Sequence, residues 1–175
     1  MFQIFKTRVI VHDGEAAVEG LVIPANDHLW MGAGPALKLK QAAGEAVEVE
    51  AVRQGPAALG QVIPTGAGSL GYRRIYHAVV MGQDLKVRHD QLRPALTAAL
   101  DLAAREKLTT LGIAPLEAEE MVGPFRQAAR AIVTALFDRL SEPTTLKEVS
   151  LVTHRPEARQ TYREAFLEVL GHHGA

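Results

Sequence analysis

The 175-residue sequence has no cysteine. That excludes disulfides, thiolate metal sites and a cysteine nucleophile. It has no excess of either charge: 19 Lys and Arg face 20 Asp and Glu, a formal net charge of -1. No global basic field therefore draws the chain toward nucleic acid or a membrane surface. Basic residues are scattered, and Arg73-Arg74 and Lys86–Arg88 are the only small clusters, too few to predict a nucleic-acid site. No apolar run approaches the length that spans a bilayer. The opening MFQIFKTRVIV alternates like a strand and has no charged start before an apolar block, so it does not read as a signal peptide. Cytoplasmic residence is the expectation. The seven histidines have no HExxH-type spacing, and neither a GxSxG elbow nor a P-loop lysine motif occurs. No metal and no cofactor are expected.

What is present is the balance of an ordinary globular chain, 47% hydrophobic and 22% charged. Its length suits one domain with a substantial core, expected over residues 1–171 with a frayed tail at 172–175. Strand patterns are predicted at Phe2–Val11, Val18–Pro24, Gly60–Pro64, Arg73–Met81, Leu108–Ala114 and Leu146–Val152. Helical patterns are predicted at Pro35–Ala43, Gln91–Lys107, Pro124–Leu140 and Pro156–Leu170. Glu45–Arg53 continues the first helix or forms a short one of its own. The apolar positions Leu92, Leu96, Ala99, Leu100 and Ala103 recur at the three-and-four spacing of a single buried face. Strands alternating with helices of this length argue an α/β layer sandwich with helices on both faces.

One stretch carries most of the functional signal: Val18–Gly44, VEGLVIPANDHLWMGAGPALKLKQAAG. An apolar run ends at Asn26, a loop closes in Gly32-Ala33-Gly34, and Pro35 can open a helix because its missing N–H had no partner there anyway. A strand, a small-residue loop and a helix N-terminus together present unpaired amides and a positive dipole end, a geometry that favours phosphate. A tight turn with no ligand is the plainer alternative.

Asn26, the loop Met31-Gly32-Ala33-Gly34 and the helix end Gln41-Ala42-Ala43-Gly44 resemble the first ligand loop of macro domains, modules that bind ADP-ribose. Further along, Thr65 with TGAGSL and the strand Arg74–Val79 are similar to the family's later elements. The likeness runs over roughly residues 9 to 155. The resemblance implies a three-layer α/β/α sandwich around a mixed sheet. It implies binding of ADP-ribose or a related nucleotide, or of an ADP-ribosylated protein. In that reading Asn26 meets the distal ribose, the Gly32–Gly34 amides (Ala33 between them) cradle a phosphate, and Gly123 belongs to the second loop. Asp13, after a one-residue deletion, meets the adenine amino group, or His12 takes that place without a gap, and His154 flanks the base with Arg155 beside it. His77 is expected to be a satisfied strand residue.

The sequence departs from the family pattern in several places. Ile23 replaces the first Asn. The second loop reads Pro115-Leu116-Glu117-Ala118-Glu119-Glu120-Met121-Val122-Gly123, where carboxylates would repel a diphosphate. Ala36 stands where some hydrolases carry an aspartate. Lys40 lies nine residues after Met31, as does the nucleophilic lysine of the terminal ADP-ribose glycohydrolase branch, so Lys40 is the candidate catalytic residue of a hydrolase. The branch's second-loop aspartate is Val122 here, leaving Glu119 or Glu120 as its substitute, and a water bound at the first loop is the alternative to Lys40. A solvated helical lysine is the alternative, and a non-binding scaffold domain is a third reading of the chain.

Overall fold

The computed structural model describes residues 1–116 and 125–173. The elements are β1 (Phe2–Ile4), β2 (Thr7–Asp13), β3 (Gly20–Asn26), α1 (Gly34–Ala43), α2 (Ala46–Gln54), β4 (Val62–Thr65) and β5 (Arg74–Met81). They continue with α3 (His89–Arg105), β6 (Thr110–Ile113), α4 (Phe125–Leu140), β7 (Glu148–Thr153) and α5 (Ala158–His173). The strands form one sheet in the order β1-β2-β7-β6-β3-β5-β4. From β2 to β5 every pairing is parallel, while β1 and β4 close the two edges antiparallel. The sheet is therefore mixed, as expected.

The inner strands are covered on both faces, which explains their near-continuous apolar runs. On β5, Tyr76, Ala78 and Val80 enter the core shared with α3, α4 and α5. Ile75 packs with α1 and the start of α2, and Val79 packs with Ala51 of α2. One strand thus supplies two cores, because successive side chains point to opposite faces. The result is a three-layer α/β/α sandwich, with α1 and α2 on one face and α3, α4 and α5 on the other.

Several boundaries differ from the sequence expectation. The predicted first strand is a hairpin of two strands that turns at Phe5-Lys6, with Ile4 opposite Thr7. Phe2 on β1 stacks on Phe166 of α5, ring centroids 3.9 Å apart. This long-range contact holds the short edge strand and has no local sequence mark. Helix α3 starts at His89, two residues early, and runs through Pro94. The proline is exposed there and removes one N–H from the helical ladder. Residues 46–54 form a separate helix, and α5 continues through His173.

His77, on β5, is a buried titratable group, 1% exposed, with Nε2 2.9 Å from Thr65 Oγ1. The Thr65 hydroxyl donates to the Gly66 carbonyl, so His77 Nε2–H is the donor to Thr65, and the imidazole is neutral. Burial pushes its pKa down from the ordinary 6.5 to about 4. Between those values the unfolded chain binds a proton that the native state refuses, so acid favours unfolding. We expect this one group to remove about 3 kcal/mol of stability as the pH falls from 6.5 to about 4. Thermal melts across that window should show the loss, and His77→Gln should flatten it; an equal slope in the variant would contradict the assignment.

Candidate functional site

Parallel strands put all their C-terminal ends on one edge of the sheet. Neighbours β3 and β6 feed opposite layers: the chain leaves β3 for α1 on one face, and α4, which follows β6, lies on the other. Crevices at such a switch point are where open α/β sheets take ligands. The loop at this place is residues 27–33.

Asn26 shapes that loop. It is buried, its Oδ1 accepts from the N–H groups of His28 (3.1 Å) and Trp30 (3.2 Å), and its Nδ2 donates to the Trp30 carbonyl (2.8 Å). An asparagine at a strand end thus substitutes for the backbone partners an irregular loop lacks. One Nδ2 proton has no partner among the described residues. Gln83, just after β5, donates to Asp27 Oδ1 at 2.6 Å, and His28 Nδ1 lies 3.0 Å from the same carboxylate. The Gln83 amide first, and His28 second, hold Asp27 below the usual aspartate range.

From the other side, Glu48 of α2 braces the loop. Its Oε2 accepts the Met31 N–H at 2.5 Å, and both its oxygens lie 3.3 Å from Lys40 Nζ. Lys40 is therefore the cationic half of an ion pair that fastens α1, α2 and the loop together. A nucleophilic lysine needs a free amine, whereas here the side chain is turned to a carboxylate at the loop's base.

Within this frame the glycine segment stays open. The amides of Gly32, Ala33 and Gly34 have no acceptor among the described residues. Gly34 begins α1 with φ +57°, and a Cβ built there would meet nothing within 4 Å. No acidic side chain occupies the first turn of α1. Unpartnered amides at a helix N-terminus are groups of the kind that can receive an anion. Trp30 precedes this segment and is 60% exposed, an aromatic side chain beside these amides.

The motifs QAAG and TGAGSL have a structural task. Ser69 N–H donates to the Ala43 carbonyl, and the single Ser69 hydroxyl proton is directed at the Ala42 carbonyl at 2.9 Å with Ala43 at 3.3 Å. The TGAG turn thereby satisfies orphan carbonyls at the C-terminus of α1, while Gly66 N–H donates to Glu50 of α2. These motifs fix the helix whose other end carries the glycine loop.

Asp13 and His154 come together at the same edge. Asp13 ends β2 opposite Thr153, and His154 follows directly. Both are exposed, and Arg159 Nη2 approaches Asp13 Oδ2 at 3.4 Å. Arg155, beside His154, lies over the Phe125 ring, 4.9 Å from its centroid. Gly123, Val122 and the acidic run Glu117–Glu120 lie outside the described residues. Sequence reasoning missed Glu48, Gln83 and Trp30. Glu48 stands eight residues beyond Lys40, across a helix break, a relation that no helical or strand period marks.

The chain matches the model of the macro domain family over residues 22–132. An uncharacterised protein of Aquifex aeolicus is 33% identical over 158 residues, 90% of this chain and 92% of its own length. A macro domain-containing protein of Caldanaerobacter subterraneus subsp. tengcongensis is 27% identical, covering 87% of this chain and 90% of its own. Among solved structures, the Oceanobacillus iheyensis macrodomain with ADP superposes with a TM-score of 0.77 at 21% identity, covering 97% of this chain and 95% of its own. The Trypanosoma brucei macrodomain in complex with ADP-ribose gives 0.72 at 22% identity, covering 84% of this chain and 62% of its own. Family match and fold agree, and the chain belongs to the macro domain family.

Proposed function

We propose that the C-terminal edge of the sheet binds ADP-ribose or a closely related nucleoside diphosphate. The observation that carries this reading is the run of acceptor-free amides at Gly32, Ala33 and Gly34, held open at the start of α1. The loop takes the diphosphate, Asn26 offers its remaining Nδ2 proton to the distal ribose, and Asp13 with His154 flanks the adenine. Along the sheet, β2 and β3 are three strand spacings apart, about 14 Å. That span suits an extended dinucleotide-sized ligand. The family match and the ligands in the Oceanobacillus and Trypanosoma structures support the same choice.

Trp30 is the chain's single tryptophan, so its emission reports events at this loop. Titration with ADP-ribose should change Trp30 fluorescence with a dissociation constant in the micromolar range, about -8 kcal/mol. Calorimetry should return the same constant. No heat and no fluorescence change at millimolar ADP-ribose would overturn the reading.

A further inference from the structure

At the opposite edge of the sheet, where β2, β6 and β7 begin, lies an open groove of about 820 Å³. Four cations from four separate segments line it: Lys6 in the first hairpin turn, Arg8 on β2, Lys107 before β6 and Lys147 before β7. Arg8 is paired with Glu148 at 2.6 Å. Lys6, Lys107 and Lys147 have no carboxylate partner among the described residues, so three uncompensated ammonium groups share one concave surface. Thr144 also lines the groove; its hydroxyl oxygen accepts the Leu146 N–H, which leaves its proton for an outside acceptor.

A second feature stands next to Lys6 in the chain. Phe5 forms the hairpin turn with Lys6 and is 69% exposed, with φ +48°. A bulky side chain is uncommon in that left-handed region. The turn presents an aromatic ring to solvent instead of returning it to the core. Concentrated positive charge along a groove, beside a free ring, combines the two elements that take single strands: backbone neutralisation and base stacking.

We propose that this groove binds single-stranded nucleic acid, its lysines tracking consecutive phosphates and Phe5 stacking on a base. The chain then holds two ligand sites at opposite ends of the sheet, separated by the length of β7, about 20 Å. The groove shares no residue with the nucleotide-diphosphate loop, so either reading stands or falls without the other.

The test is fluorescence anisotropy of a labelled oligothymidylate of about 15 nucleotides titrated with the full chain. We expect a dissociation constant of roughly 1 to 100 µM at low salt. Three neutralised phosphates give a log–log salt slope near -2, so raising salt fourfold should weaken binding about 20-fold. Lys6→Glu combined with Lys147→Glu should weaken it more than about tenfold, Lys107→Gln by less, and Phe5→Ala about tenfold. All four positions are exposed, so melting temperature and ADP-ribose titration should not move. Absence of binding at millimolar protein, or affinity indifferent to the charge reversals, would overturn the proposal. Two other results would also overturn it: a duplex bound as tightly as the single strand, or tripolyphosphate displacing the oligonucleotide with Phe5→Ala silent. The first would mark a duplex surface, the second a simple polyanion site.

Discussion

Gly32→Glu should weaken ADP-ribose binding at least about 100-fold while leaving stability within about 0.5 kcal/mol. The position is chosen because the protein itself tolerates a side chain there. Gly32 is not among the residues with positive φ, and a Cβ would meet nothing within 4 Å. The introduced carboxylate stands among the amides that are to receive a diphosphate. Two like unit charges 4 Å apart repel by about 4 kcal/mol at an effective dielectric near 20. Even half of that, after solvent screening, corresponds to roughly 30-fold, and the blocked amides add to it. Gly32→Gln separates bulk from charge and should weaken binding less, with the gap narrowing as salt is added. Calorimetry on the three proteins decides the matter. Unchanged affinity in the Glu variant would mean that the ligand does not sit on this loop. The choice avoids Asn26, whose removal would strip partners from two loop amides and a carbonyl. Loss of binding in an Asn26 variant would not distinguish a lost contact from a collapsed loop.

Gly68→Ala is expected to be the most damaging small substitution in the loops of the first helical layer. Gly68 has φ +58°, and a Cβ there would stand 2.2 Å from the Ala43 carbonyl oxygen. That oxygen cannot retreat freely, because Ser69 N–H holds it at 2.9 Å. The left-handed conformation alone costs a non-glycine residue about 1–2 kcal/mol. Displacing the TGAG turn adds the loss of the caps on α1. We expect a loss of at least about 3 kcal/mol, or roughly 10 °C in melting temperature for a chain of this size. Gly71→Ala is the control: it lacks both the positive φ and any neighbour within 4 Å, and should be near neutral. Equal melts for the two variants would refute the close approach.

The sequence reading of this chain succeeded where information is local. The strand Gly20–Asn26 was legible because a covered parallel strand must be an apolar run. The start of α1 was legible because Pro35 in a first turn follows from proline's own chemistry. His77 was legible as a core residue from its place in an apolar strand, and the structure buries it against Thr65. What the sequence left unmarked is long-range: the separate edge strand Phe2–Ile4 is held by Phe166, more than a hundred and fifty residues away.

The candidate site divides along the same line. Chain order alone put Asn26, the glycine segment and Lys40 in one neighbourhood, because they are near in sequence and their elements have short-range signatures. Only the fold decided what each side chain does there. Asn26 is turned inward to hold its loop, Lys40 is fastened to Glu48, and the residue after TGAG clasps the end of the helix at QAAG. The basic residues make the sharpest contrast. Read along the chain, Lys6, Arg8, Lys107 and Lys147 are scattered, and no run of them predicts a surface. Parallel pairing brings the starts of β2, β6 and β7 side by side, and the four charges meet in one groove. Periodicity and turn chemistry are written residue by residue, so the sequence determined the layers, the strands and the open loop. Charge convergence and hydrogen-bond partners depend on which distant strands become neighbours, and packing of the whole sheet decided those.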